Sequence, residues 1–378
     1  MLKVAILAPV KIGLSLGAIK HLKHIAAELD SRDDTQFVLF TYQDALSELD
    51  FVKDFVRVKR SKLAFGFTDI SAAVNAGGFD VALNIIARPV RGLKCPLVTI
   101  VQNVEPLQKV DYSIDLFWFL RLLYLRIEIY LSCLVSDRII AVSKYTKKLL
   151  VDRGFKSGDA IDVVYHGVST DGLSRKPKDL LIQGNKKIIF MAGSLVYYRG
   201  FEDVIRSIVS VDNFDYVVLV AGGAASVTNK YFKFLTDESD RLGVSDRFVW
   251  LGNVSSEEMR WCYENCHVFV QTSRAEACPN IVLESIYNSC FVISCDKEPM
   301  PEIYGDYAIY YRIGEVNSLA PLLNKYLRED SAREFFLNDK MGQTALRLSV
   351  FSWKNCAVKT VDVLLMQANA NKIGVSNV

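Results

Sequence analysis

The sequence predicts an α/β protein built as two parallel-sheet domains, and three observations carry that prediction. Short apolar runs of strand length alternate with amphipathic stretches of helix length. The alternation breaks at a polar, proline-bearing stretch, residues 169–185, and then starts again. At 378 residues the chain exceeds one ordinary core and suits two domains of roughly 150 to 200 residues each.

Strand-like runs in the first half fall at residues 4–8, 37–40, 81–86, 97–101 and 138–142, with helices such as 18–29 and 143–151 between them. Residues 163–168, Val-Val-Tyr-His-Gly-Val, close this half. The second half restarts with a strand at 187–192, a turn over 193–200 and a helix from Phe201. Further strands are expected at 216–221, 248–251, 268–271, 291–294 and 308–311. Alternation of this kind implies parallel sheets covered by helices, so each half reads as a Rossmann-like domain. Ligands bind beyond the carboxyl ends of strands in such sheets, which makes a cleft between facing domains the expected active site. An amphipathic stretch over 350–366, including Trp353, is expected to run back to the first domain, and the polar last dozen residues to be a loose end. The expected boundaries are 1–172, 173–350 and 351–378.

Composition narrows the class. Half the residues are hydrophobic and 11% aromatic, which excludes a disordered chain. The first apolar run is too brief and wrongly flanked for a secretory signal, so a cytoplasmic protein is expected. Eight cysteines are scattered through apolar runs, as at Cys133, Cys290 and Cys295, the pattern of reduced, buried thiols. Cys262, Cys266 and His267 lie together, but no second Cys/His pair follows, and no metal site is expected. A net charge of +2 speaks against nucleic acid as a partner. Residues 1–175 are mildly basic, with 23 Lys and Arg against 19 Asp and Glu. Two stretches there, the basic 52–62 and the aromatic, arginine-bearing 116–126, each have two readings. They are a solvated loop and an ordinary buried helix, or they touch an anionic bilayer surface. Arg121, Arg126 and Glu128 interrupt the second stretch, which argues against a transmembrane span.

The stretch with the most chemical content is Ser273-Arg274-Ala275-Glu276-Ala277-Cys278-Pro279-Asn280-Ile281-Val282-Leu283-Glu284. Glu276 lies in a polar loop after the apolar run 268–270; Pro279 suits a first helical turn, and Glu284 falls inside the helix it opens. Backbone N–H groups at that helix start, those of Asn280 and Ile281, offer a place for an anion. An anion between two hydroxyl-seeking carboxylates suggests a sugar nucleotide. Glutamates at such a spacing also occur by chance on surface helices; the strand, loop, helix and strand around this pair give it weight.

That unit resembles the signature of the retaining GT-B glycosyltransferases of family 4, whose pattern is a Glu, seven residues and a Glu. Gly193-Ser194 with Arg199-Gly200 is similar to the family's phosphate loop, and residues 246–254 to its strand and base-binding turn, ending at Val254. Residues 301–308 look like its Pro-Glu and Gly-Asp-Ala segment, and 141–146 with 165–168 like its interdomain approach. The resemblance covers nearly the whole chain and implies the GT-B fold.

It also implies roles. Arg199 would stabilise the charge on the departing diphosphate, where the family usually has lysine; Ser194 stands where an arginine is frequent. Glu276 would approach the donor sugar, and Glu284 would accept hydrogen bonds from the ribose hydroxyls. Gly193, Ser194, Gly200, Val254, Cys278, Pro279, Asn280 and Ile281 would line the donor, joined from the first domain by Gly17, with Leu16 replacing a second glycine. Gln102 and Asn103 occupy the acceptor side, where many relatives have a histidine. His24 reads as a surface residue, and His21 either packs or touches the donor. The resemblance implies a nucleotide-sugar donor, UDP or GDP, with no cofactor and no metal. The acceptor would be a growing, lipid-linked glycan at the inner face of the plasma membrane. Two alternatives stand beside this: a nucleotide-sugar 2-epimerase of the same fold, against which the scarcity of histidines argues, and a catalytically silent partner subunit.

Overall fold

A computed structural model of the chain describes residues 1–9, 16–42, 52, 54–58, 69–109, 116–168, 172–178, 180–182, 184–212, 214–223 and 229–375. The chain divides into two compact units. Met1–Gln108, Asp115–Gly167 and Phe351–Val378 form the first, and Lys109–Ile114 with Val168–Val350 form the second.

In the first unit the strands are β1 (Leu2–Ala8), β2 (Thr35–Tyr42), β3 (Phe55–Val58), β4 (Val81–Asn84), β5 (Leu97–Val101), β6 (Arg138–Ala141) and β7 (Ile161–Val163). They pair in parallel in the order β3-β2-β1-β4-β5-β6-β7. β4 and β5 are buried throughout, which is why they read as nearly continuous apolar runs, with only Asn84 and Thr99 polar. The connecting helices are α1 (Leu16–Asp30), α2 (Asp69–Gly77), α3 (Leu116–Val135) and α4 (Lys144–Asp152). Ser143 caps α4, its hydroxyl accepting from the Thr146 N–H at 3.0 Å.

The second unit holds β8 (Lys187–Ala192), β9 (Tyr216–Ala221), β10 (Phe248–Gly252), β11 (Val268–Gln271), β12 (Val292–Cys295) and β13 (Ala308–Tyr311), parallel in the order β10-β9-β8-β11-β12-β13. Its helices are α5 (Glu202–Ile208), α6 (Asn229–Arg241), α7 (Ser256–Asn265), α8 (Asn280–Tyr287), α9 (Met300–Tyr304), α10 (Val316–Arg328) and α11 (Asp330–Val350). Strand order reverses between β8 and β11. At such a switch point the flanking helices diverge to opposite faces and leave a crevice beyond the strand ends.

α12 (Trp353–Val375) returns to the first unit and packs along α1. Trp353 organises the contact: His24 stacks on it at 4.9 Å, and His166 lies at 5.6 Å. His21 is buried, with its ring 5.1 Å from His166 and Nε2 3.3 Å from Cys356 Sγ. Burial, followed by the nearby His166 and His24, pulls the His21 pKa well below the usual imidazole value. His21 is therefore a packing residue, and His24 is half-buried against Trp353 rather than a surface residue.

Other expectations change too. Within the basic stretch 52–62, read either as a solvated loop or as a bilayer contact, Phe55–Val58 form the edge strand β3. Of the polar end expected to be loose, residues 367–375 belong to α12, and 376–378 lie outside the described residues. The described part of the stretch taken as a linker is fastened at the start of α7. There the Arg175 N–H donates to the Glu257 carbonyl at 3.1 Å, and the Lys178 N–H to Glu258 Oε1 at 3.3 Å. All eight cysteines are free thiols and seven are buried.

Candidate active site

The carboxyl ends of β8 and β11 meet at the switch point of the second sheet. β8 is followed by Gly193, whose positive φ of 130° brings the chain into a turn through Tyr197–Arg199. Gly200 closes that turn at φ 65°, and a Cβ there would lie 2.7 Å from the Thr272 carbonyl oxygen. A side chain on Gly193 would meet the Arg199 guanidinium at 3.0 Å, so the two glycines let Arg199 fold back over the strand end.

The loop after β11 is bonded directly to this turn. The Thr272 hydroxyl donates to the Arg199 carbonyl at 2.5 Å, and the Arg274 N–H donates to the Tyr198 carbonyl at 2.6 Å. Arg199 Nη1 donates to Ser273 Oγ at 3.2 Å and pairs with Glu276 Oε1. Their side chains are 14% and 11% exposed, so the pair is accessible yet largely out of bulk water. Burial works against the charge on Arg199, yet the adjacent Glu276 carboxylate holds its pKa above the ordinary value. Arg199 Nε is buried and has no hydrogen-bond partner among the described residues. A buried guanidinium N–H left open at a strand end is a ready donor for an oxyanion.

Beneath this pair lies a second ionic group. Arg274 Nη2 donates to Glu202 Oε1 at 3.1 Å and to Asp203 Oδ1 at 2.8 Å, all three residues being buried. Both carboxylates have further support. The Tyr231 hydroxyl donates to Glu202 Oε2 and itself accepts from the Phe201 N–H at 2.9 Å, while Tyr311 donates to Asp203 Oδ2 at 3.2 Å. This group locks the start of α5 to the loop that carries Glu276.

α8 starts at Asn280. Pro279 is its cap residue, in extended conformation with ψ 125°, and not part of the first helical turn as the sequence suggested. Asn280 Oδ1 is buried without a hydrogen-bond partner among the described residues. One turn further on, Glu284 Oε2 accepts from the buried Tyr263 hydroxyl at 3.2 Å. Burial, then the charge of Glu284, pushes the Tyr263 pKa well above the usual phenol value. Tyr263 therefore remains a neutral donor that orients Glu284.

The fold agrees with solved structures. Anabaena Alr3699/HepE in complex with UDP and glucose superimposes with a TM-score of 0.74 at 16% identity, over 97% of this chain and 100% of that one. WaaG, a glycosyltransferase involved in lipopolysaccharide biosynthesis, gives 0.69 at 14% identity, over 96% and 99%. The uncharacterized glycosyltransferase MJ1607 of Methanocaldococcus jannaschii is 25% identical over 245 residues, 62% of this chain and 61% of that protein. The chain thus spans less than two thirds of the length of the curated relative it matches. Residues 174–344 match the model of the glycosyl transferases group 1, and residues 17–171 that of glycosyltransferase family 4. The chain belongs to the GT-B glycosyltransferases of the family 4 type.

Most of the residues singled out in the sequence of this glycosyltransferase belong to the second unit. Arg199, Gly193, Gly200 and Glu276 come together at the switch point, Cys278 is buried between Glu276 and α8, and Asn280, Ile281 and Glu284 lie on α8. Ser194 points outward and is exposed, and Val254 is half-buried just after β10. In the first unit Gly17 stands in the first turn of α1, and residues 10–15 before it lie outside the described residues. Gln102 donates to the Ile85 carbonyl at 2.9 Å, and Asn103 Oδ1 accepts from the Glu105 N–H at 3.1 Å, both just past the end of β5. Among the described residues no group of three or more His, Cys, Asp or Glu is placed to hold a metal ion. Arg274, Glu202, Asp203 and Tyr263 were missed. An acidic pair at a helix start reads as a response to the helix dipole, and nothing local to Arg274 points to α5.

Proposed function

We propose that this glycosyltransferase moves a hexose or related sugar from a UDP- or GDP-sugar to a growing, lipid-linked glycan of a bacterial surface polysaccharide. On this reading it retains the anomeric configuration and works without a metal, at the inner face of the plasma membrane. The observation that carries the proposal is the Arg199–Glu276 pair at the β8/β11 switch point, beside the start of α8.

Transfer breaks the bond between the anomeric carbon and the diphosphate, so negative charge grows on the leaving oxygen and positive charge on the ring. Arg199 meets the first charge through its open Nε–H, with the N–H groups at the α8 start adding to it. Glu276 accepts a hydroxyl of the sugar and faces the developing oxocarbenium charge. The acceptor hydroxyl attacks from the face the diphosphate leaves, and its proton passes to the leaving phosphate, so no protein nucleophile is needed. Glu284, held by Tyr263, accepts from the ribose. HepE in complex with UDP and with UDP-glucose supports the donor class, and the lipopolysaccharide enzymes WaaG and WaaB support the acceptor class.

A thermal-shift screen against UDP-, GDP- and ADP-sugars tests the donor. A ligand at 100 times its dissociation constant adds about 2.7 kcal/mol of stability. A flat response to all of them overturns the proposal, and interconversion of UDP-sugars without acceptor favours the epimerase.

A further inference from the structure

We propose that Arg274 is a positioning residue: through Glu202 and Asp203 it sets where Arg199 and Glu276 lie at the switch point, and so governs the rate of transfer more than the hold on the donor. The kinetic consequence rests on the proposed roles of Arg199 and Glu276, and the structural tie on packing alone.

The buried ionic group joins the two segments that carry the pair. Arg274 comes two residues before Glu276 in the loop after β11, and Glu202 and Asp203 come three and four residues after Arg199 at the start of α5. One nitrogen, Arg274 Nη2, donates to both carboxylates, at 3.1 Å to Glu202 Oε1 and at 2.8 Å to Asp203 Oδ1. The three side chains are only 6–10% exposed, so the bridge lies largely out of water and is little screened. Each carboxylate is anchored through its other oxygen. Asp203 Oδ2 accepts from the Gly314 N–H at 3.3 Å as well as from Tyr311 at the end of β13, and Glu202 Oε2 accepts from Tyr231 of α6. Arg274 thereby ties the Glu276 loop to α5, and through the two carboxylates to β13 and α6.

The turn above this group leaves little slack. Between Arg199 and Glu202 lie only Gly200 and Phe201, and a Cβ on Gly200 would stand 2.7 Å from the Thr272 carbonyl oxygen and 3.1 Å from Arg274 Nε. Phe201 is buried, and its N–H donates to the Tyr231 hydroxyl at 2.9 Å. A shift of the Arg274 guanidinium is therefore passed to Arg199 and Glu276 together. Glu284 is outside this linkage, because Tyr263 of α7 holds it. The rival reading is that two other bonds hold the loop unaided, from the Thr272 hydroxyl to the Arg199 carbonyl and from the Arg274 N–H to the Tyr198 carbonyl. Both reach only the turn, whereas the guanidinium supplies the tie to α5 itself. Transfer sets opposite charges against Arg199 and Glu276, and a misplacement of about 1 Å there costs on the order of 10²-fold in rate. Donor binding is shared with Glu284 and the α8 start, so it feels the same shift less.

Two variants and two readouts test this. Arg274→Met/Glu202→Gln/Asp203→Asn replaces the ionic group with neutral side chains of similar size. Arg274→Lys keeps a cation whose single nitrogen has three donors for the two carboxylates. Turnover is read as hydrolysis, with water as acceptor, of whichever UDP-, GDP- or ADP-sugar gives the largest thermal shift. The triple variant is expected to keep most of the wild-type stability to urea and a donor KM within about threefold, while kcat falls by about 10- to 100-fold. Arg274→Lys is expected to bring kcat back to within about fivefold of wild type. Independently of turnover, a double-mutant cycle on urea unfolding with Arg199→Met and Glu276→Gln reads the coupling within the pair, expected to fall by about half or more in the triple background. Three results each overturn positioning by Arg274: kcat returning with stability in the triple variant, undiminished coupling there, or a stably folded Arg274→Lys protein as slow as the triple variant. No turnover by the wild type, with the coupling lost in the triple background, leaves the positioning standing and counts against the proposed function.

Discussion

Replacing Glu276 with Gln should have opposite effects on binding and turnover. Without donor, Glu276 neutralises the cation proposed to receive the diphosphate, so donor binding exchanges an Arg199–carboxylate pair for an Arg199–phosphate pair. At an effective dielectric constant of about 20, two unit charges about 4 Å apart attract by ~4 kcal/mol. With the two side chains still 14% and 11% exposed, about 1.5 to 3 kcal/mol of that attraction is a realistic net value. Removing the competitor should therefore tighten UDP binding by about 10- to 100-fold. The same change removes the group proposed to meet charge in the transition state, which should slow transfer by about 10²- to 10³-fold. Isothermal calorimetry with UDP and a turnover assay read the two effects separately. A variant that merely loosens the site loses both. UDP affinity unchanged or weakened in Glu276→Gln would refute the exchange.

Three further outcomes follow from the geometry. Arg274→Met leaves Glu202 and Asp203 buried without their cation, which should cost about 3–5 kcal/mol in urea unfolding, and adding Glu202→Gln with Asp203→Asn should restore most of it. Glu284→Gln should raise the donor KM by about 5- to 30-fold through one weakened hydrogen bond while kcat stays near wild type, seen as a KM-against-kcat split. His21 is neutral in the folded state and charges on unfolding, so the unfolded chain binds the extra proton and stability falls as pH drops below the usual imidazole value of 6.5. His166, His24, Trp353 and Cys356 face it, and none is a carboxylate that would favour its charge. Unfolding between pH 7.5 and about 5, above the carboxylate range, should show this loss in the wild type and a flatter profile in His21→Gln. His267, also held below its usual value by burial, contributes in the same direction and remains in both proteins.

How far the sequence reaches varies with the residue. Strands buried on both faces, such as β4, β5, β9 and β11, show as nearly continuous apolar runs, and the sequence places β8, β9, β11 and β13 at their observed bounds. β3 escaped because it is a four-residue edge strand with Phe55 and Val56 exposed among cations, so its local pattern is that of a loop. Glu276, Glu284 and Arg199 were found by motif, because the turns and helix start that present them are local features. Tyr263, which holds Glu284, and Glu202 and Asp203, which hold Arg274, were not, since each contact crosses from one strand–helix unit to another.

By itself, then, the sequence determined the alternation of strands and helices, the two-domain division and the carboxylates and cation worth testing. These depend on which side of a short segment meets water, and a few neighbouring residues carry that information. Only the tertiary structure decided that Arg199 lies on Glu276, that Arg274 serves α5, that His21 packs under Trp353 and that one side of α3 stays bare. The physical reason is that parallel strands are joined by crossovers, so which strand ends become neighbours depends on sheet order and not on nearby sequence. A helix apolar on every side likewise does not reveal which side the rest of the chain will cover.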